Sequence, residues 1–265
     1  MVLKSGLTAD IGRLFASMPG FESAKARVLT NNEVTGNMLN WLVPTEWELG
    51  IDDVLVIFFA GHAIQDPKSK RPFLLPYDAQ IDDIEGTAIP YDDLLSLLDR
   101  VPCRRRLLLL DACESGGESA PLPSSLGNAD SEASRLVTRG MRKKASVAIA
   151  QSRDSGSWMY DKNRIVWSQY SGRGGAVVFS SSLGSEPSLE SRSLENGLFT
   201  AALKKALGGH ADADRSNTIS MDEIMGYVQR EVARMSKGIQ HPTRELSNPY
   251  LSVELPVSGA SSDPK

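Results

Sequence analysis

The sequence predicts an α/β fold with a mainly parallel sheet flanked by helices. Two apolar runs carry that prediction: Asp53-Val54-Leu55-Val56-Ile57-Phe58-Phe59 and Leu107-Leu108-Leu109-Leu110. Both read as strands buried on both faces. A helix predicted over Pro90–Arg100 lies between them, with Leu94, Leu95 and Leu98 on one face. Strand, helix, strand is a βαβ unit, and such crossovers are almost always right-handed. Each run empties into a short stretch with glycine and a reactive side chain. The first gives Ala60-Gly61-His62-Ala63; the second gives Asp111-Ala112-Cys113-Glu114-Ser115-Gly116. Ligands of open α/β sheets bind outside the carboxyl ends of the strands. If the two strands are parallel neighbours, His62 and Cys113 emerge at the same edge.

The rest of the chain follows in order. Residues 7–18 predict an amphipathic helix capped by Thr8 and ended by Pro19-Gly20, with Ile11, Leu14, Phe15 and Met18 on one stripe. Arg27-Val28-Leu29 predicts a short strand, and Thr30 opens a helix through about Leu42. Residues 64–89 are a loop-rich crossover containing an extended piece, Arg71 to Asp78. Arg104, Arg105 and Arg106 form a solvated approach to the leucine strand. From Gly116 to Gly140 the chain is rich in Ser, Gly and Pro without hydrophobic period, which predicts a long mobile loop. Ala176–Ser180 predicts a third buried strand. Helices are expected over Asn196–Leu207, ended by Gly208-Gly209, and over Met221–Met235. A last strand covers Pro249–Leu255, and the tail 256–265 is expected to be disordered.

The chain has 265 residues and a formal net charge of −4, so no overall basic field draws it to nucleic acid. No run approaches the 18 apolar residues of a membrane span, and the first residues lack the apolar core of a signal peptide. The two cysteines, Cys103 and Cys113, flank an extended strand that holds them too far apart to bridge. Free thiols fit a reducing, cytoplasmic location.

A thiol and an imidazole within reach of each other are the minimum kit for a cysteine nucleophile. At these residues the sequence resembles the caspase-like cysteine proteases, and most closely their bacterial, metacaspase-type branch. The resemblance rests on Phe58-Phe59-Ala60-Gly61-His62-Ala63 and Leu110-Asp111-Ala112-Cys113-Glu114-Ser115-Gly116. The usual family forms are Ser-Gly-His-Gly and Asp-x-Cys-x-Ser-Gly. Leu75-Pro76-Tyr77-Asp78 and Asn196-Gly197-Leu198-Phe199-Thr200-Ala201-Ala202-Leu203 support it, and it covers roughly residues 8 to 255. His62 and Cys113 lie 51 apart, which matches the separation of about 50 in caspases.

The resemblance implies a single caspase-hemoglobinase-like domain over 1–255. It divides into a large-subunit-like part (1–115), a linker (116–175) and a small-subunit-like part (176–255). It implies that Cys113 is the nucleophile, that His62 protonates the leaving amine, and that the backbone N–H groups of Cys113 and Ala63 form the oxyanion hole. Asp111 and Ala60 would line the S1 pocket, where a carboxylate selects Arg or Lys. Arg139, Arg142, Lys143 and Lys144, in the stretch 116–153, become candidate self-cleavage sites. Peptides and proteins are the expected substrates; no membrane or nucleic-acid partner is expected.

Three departures stand out. Ala63 replaces the glycine after the histidine, Ala60 stands where the family often has Ser, and the family's first strand is missing from the start of the chain. That strand would have to come from an upstream segment or a regulatory partner. The chemistry requires no cofactor. One further motif suggests calcium: Asp212, Asp214, Ser216, Thr218 and Glu223 sit at EF-hand loop positions, with Asn217 at the glycine position and Ile219 at the eighth. The competing interpretation of that segment is a polar turn with a Ser220/Glu223 capping box. His210 and His241 have no metal-ligand spacing, and Cys103 is a bystander. Two other functions use the same residues: an inactive caspase-like scaffold that binds a partner, and a redox or structural thiol domain.

Overall fold

The computed structural model describes residues 5–19, 21, 27–43, 48–66, 68–114, 136–138, 176–182, 186, 188–191, 196–246 and 253–257. The chain opens with helix α1 (Ser5–Ala16). The first strand of the central sheet, β1 (Val54–Gln65), holds the β-branched and aromatic run and continues through His62. It turns back into β2 (Pro72–Leu75). The short helix α2 (Ile84–Thr87), strand β3 (Ile89–Pro90) and helix α3 (Tyr91–Arg100) lead to β4 (Arg105–Glu114). Beyond β4 come β5 (Leu136–Thr138), β6 (Val177–Ser180), β7 (Leu189–Ser191) and β8 (Asn196–Gly197). Helix α4 (Leu198–Lys205) runs into a wider turn over Ala206–His210. Strand β9 (Thr218–Ser220), helix α5 (Met221–Ser236), β10 (Thr243–Leu246) and β11 (Glu254–Pro256) complete the order.

The main sheet has the strand order β10-β6-β4-β1-β2-β3. Its centre is parallel: β4 pairs with β1 on one side and β6 on the other. The flanks, β10 and the β2–β3 hairpin side, are antiparallel. Helices cover both faces, which explains the unbroken run of leucines in β4. Leu107 and Leu109 pack with Ile11 and Phe15 of α1, Phe199 and Leu203 of α4, and Val228 and Val232 of α5. Leu108 and Leu110 face the other way, among Leu94, Leu95 and Leu98 of α3 with Val34 and Met38. A central strand buried on both sides cannot alternate apolar with polar residues.

Several elements depart from expectation. Residues 30–42 form two short 3-10 turns, Asn31–Glu33 and Met38–Asn40, rather than one helix. Tertiary partners take the backbone groups a helix would pair internally: Val34 C=O accepts from Tyr77 N at 2.8 Å, and Gly36 N donates to Asp78 Oδ1 at 3.0 Å. Gly36 also lies so close to Thr87 that a Cβ there would sit 2.4 Å from its carbonyl oxygen. Residues 27–30 form no strand. Leu136–Thr138, expected within a loop, pairs with β7 as a strand. Arg106 is buried rather than solvated; its guanidinium donates to the carbonyls of Cys103 and Leu98, both at 2.7 Å, and pairs with Asp99. The last strand is Glu254–Pro256, and it joins β9 rather than the main sheet. Residues 258–265 of the expected tail lie outside the described residues.

Glu231 on α5 ties that helix to α4. It accepts from Arg234 Nε and from Lys205 Nζ, both at 2.9 Å, and these bonds hold its carboxyl down to about 2 from an ordinary 4.5, the Arg234 bond contributing most. A depressed carboxylate stabilises the fold fully above its unfolded value and loses that contribution as the pH falls through the folded one. Glu231→Gln is therefore expected to lower stability at pH 7 by about 1 kcal/mol. The gap from wild type should close between pH 4.5 and about 2, measured by denaturant melts across that range.

Candidate active site

β1 and β4 pair in parallel from Val54 opposite Arg105 to Ala63 opposite Glu114. In this register His62 lies opposite Cys113, and Ala60 lies opposite Asp111. Neighbouring strands are about 4.8 Å apart, so the backbone that carries the imidazole runs directly beside the backbone that carries the thiol. The pairing requires no long loop to converge; it follows from two adjacent strands of similar length. His62 is 9% exposed, so its ring is largely withdrawn from water. Both residues lie inside their strands rather than beyond the ends.

The sequence places Ala63 beyond the apolar run that ends at Phe59. It is strand all the same, paired with Leu74 of β2 and level with Glu114 of β4. The reason is β2, which folds back along His62–Gln65 and carries β1 past its own apolar run.

Asp111 has no exposed surface. Its carboxylate accepts hydrogen bonds from the hydroxyls of Thr200 on α4 and of Ser188, the latter at 3.4 Å. Both donors come from the far side of the sequence, so the carboxylate links the strand of Cys113 to the portion that starts at β6. Ser181, just after β6, donates its N–H to Leu110 C=O at 2.9 Å and its hydroxyl to Ala112 C=O at 3.4 Å. The end of β4 is thus held from the β6 side up to the residue before Cys113.

A sequence model of the caspase domain matches residues 8–250. The chain belongs to the caspase-domain family. A crystal structure of a protein from Geobacter sulfurreducens has a similar fold, with a TM-score of 0.56, 16% identity, 91% of this chain covered and 83% of that one. That likeness concerns the fold alone. Among curated proteins, none matches the chain. The family assignment marks this caspase domain as cysteine-peptidase-type, a class that acts on peptides and proteins. No helix among its described residues is long and apolar enough to cross a membrane.

The basic candidates for self-cleavage, Arg139, Arg142, Lys143 and Lys144, lie outside the described residues of the caspase domain. The calcium candidates lie between α4 and the first turn of α5. Asp212, Asp214 and Glu223 each bring an oxygen within 4.8 Å of the others. Asn217 takes the left-handed conformation, φ 64°, that the sixth position of such a loop requires. Ile219 is buried in β9, while Ser216 Oγ lies 3.1 Å from Thr218 Oγ1. The capping box forms as well: Ser220 Oγ accepts from Glu223 N at 3.2 Å, and Glu223 accepts from Ser220 N at 2.9 Å. The carboxylates already hold the loop by accepting backbone N–H groups, including Ser216 N to Asp212 and Asp214 and Ala213 N to Glu223.

Sequence reasoning missed the buried polar residues Thr200 and Ser188, which bond Asp111, and Ser181 and Gln240 behind them. The signal for Thr200 is faint but present: it is the lone polar residue in the apolar stretch Leu198–Leu203. Ser188 and Gln240 lie far from Asp111 in sequence and had no local signal.

Cys103 is fully buried in the core beside α3, and burial pushes its thiol up. A neutral, occluded thiol does not alkylate. Iodoacetamide at pH 7 is expected to leave Cys103 unmodified in the native protein and to label it only in denaturant, as read by peptide mass spectrometry.

Proposed function

We propose that this caspase domain is a cysteine endopeptidase that cleaves after Arg or Lys, with Cys113 as nucleophile and His62 as its acid–base partner. The observation that best supports this is the register that sets His62 opposite Cys113 on adjacent parallel strands. The Cys113 thiolate would attack the scissile carbonyl carbon. The tetrahedral oxyanion would be met by backbone N–H donors, with those of Cys113 and Ala63 the candidates, each worth several kcal/mol in such a site. His62 would give its proton to the departing amine, leaving a thioester on Cys113. Water would then attack the thioester as His62 takes up its proton, and the acid product would leave with the thiolate restored. Asp111, level with Ala60 and two residues before Cys113, would supply the negative charge that a P1 guanidinium or ammonium recognises, its carboxylate, which has no exposed surface here, becoming accessible as the substrate enters.

Fluorogenic peptides ending in Arg, Lys or Asp test this with wild type and Cys113→Ala, each with and without calcium. The expected result is cleavage after Arg and Lys that falls at least a thousandfold in Cys113→Ala, on the order lost when a catalytic nucleophile is removed. Cleavage after Asp alone would keep the peptidase and discard the basic pocket. No cleavage under any condition would favour the partner-binding scaffold. The calcium arm assigns or dismisses a role for the Asp212–Glu223 loop.

Self-processing follows from the same reading, since basic residues lie between Cys113 and β6. Intact-mass measurement of purified protein is expected to find wild type cut after Arg139, Arg142, Lys143 or Lys144, and Cys113→Ala uncut. Cutting of the purified Cys113→Ala chain would sink it.

A further inference from the structure

Behind Asp111 stands a buried polar chain. Gln240 Nε2 donates to Ser181 C=O at 2.7 Å and lies 3.5 Å from Ser188 Oγ. Gln240 Oε1 accepts from Leu189 N at 2.9 Å, and Gln240 N donates to Ser236 Oγ at 3.1 Å. Ser181, Ser188, Thr200, Ser236 and Gln240 are each exposed by 1% or less. Buried polar groups of this kind must find partners, and here their protons have consistent destinations. The Gln240 amide donates to Ser188, which leaves the single Ser188 proton to donate onward. Two acceptors are in reach, Ser181 Oγ at 3.2 Å and Asp111 Oδ1 at 3.4 Å. The carboxylate is the stronger acceptor because hydrogen bonds to a charged group are roughly twice as strong as neutral ones. Ser181 is left to donate to Ala112 C=O. Thr200 holds the other carboxylate oxygen from α4.

The Asp111 carboxylate is thus aimed by two hydroxyls on separate elements, one of them backed by Gln240. We propose that Thr200, and Gln240 acting through Ser188, are positioning residues that orient the Asp111 carboxylate and so set the balance between Arg and Lys at P1. This rests on the basic-P1 reading above. Orientation matters differently for the two side chains. Arg presents a planar fork that needs a carboxylate at a fixed angle, whereas Lys is a compact point charge that tolerates rotation. Removing one hydroxyl frees the carboxylate to turn, which weakens Arg recognition more than Lys recognition.

The test is the ratio of kcat/KM for Arg over Lys peptides in wild type, Thr200→Val, Ser188→Ala, Gln240→Met and Thr200→Ser. The ratio is expected to fall about fivefold in Thr200→Val and severalfold in Ser188→Ala and Gln240→Met, the loss of one charge-assisted bond. The fall should sit in KM for the Arg peptide. Thr200→Ser, which keeps the hydroxyl, should stay within about twofold of wild type. A purely structural network would lower melting temperature and total activity but leave the ratio unmoved, and that outcome overturns the proposal. So does a Thr200→Ser variant as damaged as Thr200→Val. If Thr200→Val fails to fold, Ser188→Ala carries the decision. A wild type that cleaves neither peptide defeats the basic-P1 reading and this inference together. A wild type that cleaves both while every folded variant keeps its ratio defeats this inference alone.

Discussion

The arrangement of this caspase domain depends on the register between β1 and β4. That pairing sets His62 opposite Cys113 and Ala60 opposite Asp111, and it seats the leucine run between two helical layers. A slip by one residue would undo all three. Successive side chains of a strand point to opposite faces, so a one-residue shift moves every residue to the other side. For β4 that would drive the Asp111 carboxylate into the apolar cluster of Leu94, Leu95 and Leu98. An uncompensated charge there costs several kcal/mol. The observed register instead gives Asp111 the hydroxyls of Thr200 and Ser188. The same carboxylate that the functional reading uses therefore penalises the wrong alignment of the strand that carries Cys113.

Most of the polar groups that complete the site edge come from the second half of the chain. β6 pairs with β4 in parallel, Ser181 holds the Leu110 and Ala112 carbonyls, and Gln240 secures the segment around Ser181 and Leu189. Removing or loosening that half would leave β4 without its β6 neighbour and Asp111 without the hydroxyls of Thr200 and Ser188. The site edge is in this sense a joint product of residues before 115 and residues after 175. On the opposite layer Arg106 does a related job, closing the carbonyls at the end of α3 and at Cys103 so that α3 packs with its last turn satisfied.

The strands that matter were legible because they are written locally. Val54–Phe59 and Leu107–Leu110 are apolar without alternation, which only a doubly covered strand demands. His62 and Cys113, close to the ends of these runs, are the candidates those strands present. Helices α1, α3 and α5 were equally plain from their apolar stripes, and the αL position at Asn217 from its place in the loop. The misread stretches share one cause. Thr30–Leu42 has helical patterning, but Tyr77 and Asp78 take its backbone groups. Leu136–Thr138 looks like loop until β7 offers it a partner.

Sequence alone therefore determined the fold class and the two strands that carry His62 and Cys113, because burial on both faces leaves short-range marks. Only the tertiary structure decided the register that brings the two residues level and the donors that surround Asp111. The extension of β1 past His62 was decided there too. Each of these depends on partners from distant parts of the chain: Thr200 is 89 residues from Asp111, and Ser188 is 77. A hydrogen bond between such residues leaves no periodicity and no local motif. It exists only once the sheet has placed β6, α4 and Gln240 around the end of β4.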